Sequence, residues 1–260
     1  MTLITCTRPS TLANALDDKS GLMPYVAATT LKTIRDNPDL ATRLSLTKGD
    51  SWRDFKPLYE EAERRGGGRE ASDGTNIHMV VEAIHSGTDV SAIPAEVRRD
   101  GEAVVRTIED LGMRIGLTEQ FLVTDDPDLP ETCAGTTDLV LQARDGSFLI
   151  GDTKSVGSHT DGRYGAVKWG IQTATYAHGR PYVGTVTRDR WGRPQINTDD
   201  IRDWSFGALR TDVAVVFEVE RGSGTVKVHW IDVAAGWALA QLACEVRAAR
   251  KAPGVLRGAL

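Results

Sequence analysis

The spacing of apolar residues changes character part-way along the chain. Over the first 116 residues it follows a helical period. Segments near 26–37 and 52–64 are amphipathic, and the second runs into Gly66, Gly67 and Gly68, a breaker that predicts a mobile loop. Ile77, Val80, Val81 and Ile84 then share one face of a helix over about 75–87. Val97, Val104, Val105, Ile108 and Leu111 form the buried stripe of a longer helix over 94–116. Beyond it the apolar runs shorten and are bounded by turn residues, which predicts strands over 119–124, 136–143 and 147–154. A helix over 166–178, a strand over 182–187, a hairpin of 212–220 with 225–233, and a closing helix over 234–251 complete the pattern. The expectation is an α/β fold with a central mixed β-sheet flanked by helices. Residues 1–70 would be a helical N-terminal extension, 74–187 the core and 188–260 a C-terminal hairpin and helix, all within one domain.

Two of the expected strands carry charges in an otherwise apolar setting. Asp152 and Lys154 are two residues apart, so on a strand they project from the same face. The intervening Arg144, Asp145 and Gly146 suit a three-residue hairpin loop with Gly146 in the left-handed position, which pairs residue 143 with 147. Counting back, Asp138 falls opposite Asp152, with Cβ atoms roughly 4.5–5.5 Å apart. Two carboxylates so placed repel each other unless a cation lies between them, and hard divalent ions such as magnesium take oxygen ligands of this kind. A nearby ammonium can orient the attacking water and offset charge growing on a phosphate, a combination suited to phosphodiester hydrolysis.

Other residues fall where such a site needs them. His78 lies on the first turn of its expected helix and offers an imidazole ligand, with Glu82 one turn later. Gln172 and Tyr176 share a helix face after the lysine. The order Gly-x-x-x-His (Gly74 to His78), Gly-x-x-Asp (Gly135 to Asp138), Asp-x-Lys (Asp152 to Lys154) and Gln-x-x-x-Tyr (Gln172 to Tyr176) resembles the RecB-like exonuclease branch of the PD-(D/E)xK nuclease superfamily. The resemblance covers residues 74–178, including Glu119 on the preceding strand. It implies a restriction-endonuclease-like core and a magnesium- or manganese-dependent DNA exonuclease. His78, Asp138, Asp152 and the Thr153 carbonyl would hold the metal, and Lys154 would be the catalytic lysine. Glu119 would be a supporting or second-metal acid, and Gln172 and Tyr176 would contact the DNA backbone or brace the site. It further implies phage or recombination-linked DNA processing in the cytoplasm, that of the host if phage-encoded, with DNA as partner and a recombinase or single-strand-binding protein as a further candidate. The alternatives are a catalytically inactive nuclease-fold binding or assembly protein, and a structure-selective endonuclease.

Composition narrows the picture. Hydrophobic residues make up 40% and charged residues 26% of 260, ordinary for a chain that buries a core. No apolar run approaches a membrane span, so no membrane partner is expected. Cys6, Cys133 and Cys244 are too few and too scattered for a disulfide framework or for the iron-sulfur cluster of CRISPR-associated relatives; they are expected to be reduced and structural. The net charge of −5 confines any DNA contact to local patches. The candidates are Arg64, Arg65 and Arg69, and Arg188, Arg190 and Arg193 near Trp191, each of which is otherwise a solvated loop. The polar stretch over 157–165 is either a substrate gate or a connection. Lys168 is placed for a phosphate contact, and Trp169 is either a stacking surface or core. His85, His159, His178 and His229 lack ligand spacing and are expected to be structural or on the surface.

Overall fold

The computed structural model describes residues 3–17, 22–66, 68–159 and 165–252. They form an α/β protein with eight α-helices among the described residues and a mixed six-stranded sheet. The chain divides into two compact units, one of Met1–Asp17 with Ile77–Leu260, the other of Asp18–Asn76.

In the larger unit the sheet comprises β2 (Arg114–Thr124), β3 (Cys133–Gln142), β4 (Phe148–Val156), β5 (Arg180–Pro181), β8 (Val213–Glu220) and β9 (Thr225–Asp232), ordered β5-β2-β3-β4-β8-β9. Every pairing is antiparallel except β4 with β8, which is parallel and requires a crossover. Both faces of the sheet are covered, which is why its strands are nearly continuous apolar runs. On one face Leu139, Leu141, Leu149, Val215, Phe217 and Val219 meet Ile77 and Val81 of α5 (Gly68–His85) and Val104 and Ile108 of α6 (Ala95–Asp110). On the other, Val140, Ile150 and Ala214 meet Ala174 and Tyr176 of α7 (Ala166–Ala177) and Val233 of α8 (Val233–Lys251).

The β3–β4 hairpin has the register expected from its turn. Ala143 N donates to Ser147 O, Gly146 N donates to Ala143 O, and Gly146 has φ of 86°. The ladder runs from Gln142↔Phe148 to Leu139↔Gly151.

Several boundaries differ from expectation for local reasons. The helix expected over 94–116 stops at Asp110, because Gly112 takes φ of 73° and the chain closes in a Schellman pattern: Met113 N donates to Ile108 O and Gly112 N to Glu109 O. Met113 and Ile108 also share the same core cluster, and β2 begins at once. The helix expected from about residue 75 already runs from Gly68. The strand expected over 182–187 does not form; Val183 N bonds Asp200 O, and Tyr182 bridges Ile201 while its hydroxyl accepts from Asn197 N. Instead β1 (Leu3–Thr5), β7 (Pro194–Asn197) and β6 (Thr187–Arg188) build a small second sheet.

The expected extension over 1–70 is also divided. Leu12 and Ala13 of α1 (Pro9–Ala13) pack with Ala240, Ala243 and Cys244 of α8, so the first residues belong to the larger unit. The smaller unit holds α2 (Leu22–Asp36), α3 (Pro38–Leu46) and α4 (Trp52–Gly66) around Ile34, Leu40, Leu58 and Ala62. The unanticipated α3 restarts the helix with Pro38 in its first turn, where a missing N–H costs nothing. In this unit Arg65 pairs with Glu61 and Asp39, and Arg64 with Glu61, so two arginines of the first expected DNA patch are internally neutralised. Gly67 and the Arg69 side chain lie outside the described residues, as does most of the expected gate, residues 160–164.

Candidate metal centre and its lysine

Three elements of the larger unit bring ligand-type side chains together. His78 comes from α5, Glu119 from β2 and Asp138 from β3. One ligand atom from each lies within 4.8 Å of the others, the only such trio among the described residues. His78 Nδ1 stands 3.4 Å from Asp138 Oδ1 and 3.6 Å from Glu119 Oε1. They line a small cleft with Val81, Thr118, Leu139 and Thr153, large enough for one water- or ion-sized species.

The backbone explains how the acids reach the cleft. The β2–β3 ladder places Thr118 opposite Leu139 and Gln120 opposite Thr137, and Glu119 between them has φ of 49°. A glutamate in that region costs about 1–3 kcal/mol, and strain of this size is held where side-chain placement requires it. Asp138 stands just past the last β3–β4 ladder pair, where its Oδ2 accepts from Thr153 N at 2.8 Å.

Asp152 and Lys154 lie on the adjacent β4, and Asp152 stands outside the trio. Its Oδ2 is 2.6 Å from Lys154 Nζ and its Oδ1 accepts from Gln172 Nε2 at 3.3 Å. The carboxylate is 1% exposed, and Oδ2 has the ammonium's charge but no well-aligned hydrogen-bond donor. The expected grip of Asp138 and Asp152 on one ion is thus redistributed. Asp138 is shared with His78 and Glu119, while Asp152 is turned to Lys154 and α7.

Electrostatics follow from this crowding. Burial opposes a charge on His78, but the hydrogen bonds to Asp138 and Glu119 and the charges of Asp138 and Asp152 outweigh it and raise its pKa to about 10. Burial also opposes ionisation of Asp138, yet His78, Lys154 and the Thr153 N–H hold its carboxyl below the usual range. Asp152 goes the other way: burial, reinforced by the charge of Asp138, pushes it up to about 6 against the pull of Lys154. Burial disfavours the Lys154 ammonium, but Asp152 and Asp138 more than compensate and raise its pKa, so it stays charged at neutral pH.

No family model and no curated protein matches this chain.

The remaining expected site residues fall as follows. Gln172 and Tyr176 are buried, so neither is presented to a DNA backbone; Gln172 holds Asp152, one helical turn before Tyr176. The motif glycine Gly135 gives that hydroxyl room, since a Cβ there would lie 2.9 Å from Tyr176 Oη. Thr153 lines the cleft and ties down Asp138 through its N–H. Glu82 is exposed and outside the trio, and Trp169 is core at 7% exposure. The three cysteines are free and buried, and burial raises each thiol.

Sequence reasoning missed Glu218. It is the register partner of Lys154 across the parallel β4–β8 pairing and has no exposed surface. His229 Nε2 lies 2.7 Å from its Oε2, and the His229 ring tilts against Trp169 at 5.4 Å. A glutamate inside the otherwise apolar run over 213–219 was the available signal.

Proposed function

We propose that this chain is a metal-dependent deoxyribonuclease with a restriction-endonuclease-like core of the RecB-like kind. The observation that carries the reading is the His78–Glu119–Asp138 trio standing beside a buried Asp152–Lys154 ion pair. A carboxylate pair with one imidazole is a donor set for a divalent ion. The fit is supported by the acid–imidazole cluster on an ion-sized cleft. An imidazole among the ligands favours manganese over magnesium. When bound, the ion supplies a water of lowered pKa and charge stabilisation for the phosphoryl group.

The chain's own residues do the rest. Asp138 is held by Thr153 N–H and His78, so its free lone pairs are aimed at the cleft. Asp152, buried between Lys154 and Gln172, keeps the ammonium in place. Lys154 is 27% exposed at its side chain, and its charge acts on Asp138 of the trio. Its raised pKa suits it to orienting water and offsetting phosphate charge, not to acting as a base.

The test is cleavage of linear and closed-circular DNA with manganese or magnesium by wild type, Asp138→Asn and Lys154→Ala. Loss of roughly 100-fold or more in each variant is expected from removing a charge aimed at the transition state. Digestion of linear but not closed-circular DNA identifies an exonuclease; cutting of both identifies an endonuclease. Equal cleavage by all three proteins refutes the reading, and no cleavage by wild type favours a nuclease-fold binding protein.

A further inference from the structure

Away from the cleft, the connection between β6 and β7 carries an exposed tryptophan ringed by arginines. Trp191 is 65% exposed. The Arg190 guanidinium stacks on its ring at 3.9 Å from the centroid, and Arg193 lies at 5.0 Å. Arg8 Nη2 and Arg188 Nη1 both donate to Gly192 O, at 2.7 and 3.2 Å, so four arginines converge on one tip. Among the described residues only Asp189 offsets them, pairing with Arg193 at 2.7 Å. Four positive charges less one leaves three on the tip of a chain whose net charge is −5.

The tip is also preorganised. Asp189 Oδ1 accepts from Trp191 N and Arg193 N, Gly192 N donates to Asp189 O, and Gly192 takes φ of 74°. This backbone frame leaves the indole exposed, in contact with the Arg190 and Arg193 guanidinium groups.

We propose that this tip is a binding site for single-stranded DNA, with Trp191 stacking on an unpaired base and Arg8, Arg188 and Arg190 meeting the flanking phosphates. A base offers its flat face only when unpaired or at an end, so an exposed indole selects single strands over continuous duplex. The local excess of positive charge supplies the complementarity that the whole molecule lacks. The inference rests on the nuclease reading only in choosing DNA over another polyanion. A site of this kind feeds a strand end to an exonuclease.

The test is fluorescence anisotropy with a labelled single-stranded oligonucleotide and its duplex, in EDTA so that no hydrolysis occurs. Trp191→Ala is expected to weaken single-strand binding roughly tenfold, and Trp191→Phe by less than about threefold, as stacking on one base implies. Removing Arg188 and Arg190 together is expected to lower the slope of log affinity against log salt by about 1.4, at about 0.7 per phosphate contact. The assignment is overturned if wild type does not bind, if Trp191→Ala binds within about twofold of wild type, or if that variant loses duplex and single strand equally. Because binding is read without metal, a protein that cuts no DNA can still pass, and an active nuclease can still fail.

Discussion

On the proposed reading, metal binding at the His78 imidazole is a proton-exchange reaction whose size follows from the raised pKa of that group. In the metal-free protein His78 has its pKa raised to about 10, so at neutral pH it is cationic. A ligand must offer a lone pair, so binding expels that proton at a cost of about 4 kcal/mol near pH 7, from about 1.36 kcal/mol per pH unit. The apparent affinity for manganese should therefore rise about tenfold per pH unit between about pH 7 and about pH 8.5. The sign for the metal-free fold is opposite. A raised pKa gives stability that is fully present below the unfolded value of about 6.5 and is lost as pH climbs through the folded one. Manganese should accordingly protect against thermal unfolding more at high pH than at low. Titration calorimetry in two buffers of different ionisation heat measures the released protons directly. His78→Asn should bind more weakly and show no pH slope. Affinity that is flat with pH, with no proton released by wild type, refutes the argument.

The other predictions concern the frame. Glu119→Gly should relieve the left-handed strain and raise stability by about 1 kcal/mol while weakening manganese binding; a variant that is no more stable, by denaturant melts, shows that the strain is absent. Asp100 is 3% exposed and accepts from Gly222 N and Gly224 N, so Asp100→Ala should cost about 1.5–3 kcal/mol by removing the carboxylate that ties down this turn. A change in midpoint corresponding to less than about 1 kcal/mol contradicts that reading. Gly135→Ala should push the Tyr176 hydroxyl off its position and disturb Gln172, one helical turn away, which holds Asp152. Activity should fall by more than stability accounts for, and an unchanged rate would show that this brace is dispensable.

The parts legible in the sequence were those governed by short-range rules. The Arg144-Asp145-Gly146 turn sets its own register, so the opposition of residues 138 and 152 could be counted without a structure. The helix expected over 166–178 forms over Ala166–Ala177, and the pairing of 212–220 with 225–233 was readable from the glycine turn between them. The α6 stop was also written locally, at Gly112, but Gly116 offered a competing signal and the Schellman contact becomes evident only in three dimensions. What could not be read depends on partners distant in sequence. Asp152 turns to Lys154 and Gln172 because α7 closes over it, and Asp138 turns to a histidine from α5. The small sheet joins residues 3–5 to 194–197, a pairing without a periodic signature. Glu119 was noticed only as an acid; that it would occupy a glycine-like conformation and stand inside the trio depends on its place opposite Asp138 in the β2–β3 pairing, which composition does not reveal.

The parallel join of β4 to β8 has a consequence for when the candidate site is completed as the chain is made. Parallel neighbours need an intervening crossover, here the 56 residues between Val156 and Val213 that include α7, so β8 reaches the sheet long after the β3–β4 hairpin has emerged from the ribosome. Until α7 docks and β8 arrives, Asp152 and Lys154 stand in water, which screens the charges that hold the pair together. A nascent chain paused before residue 213 thus has its acids and its histidine but not the strand that buries the Asp152–Lys154 pair, so the candidate site is completed only when the sheet closes.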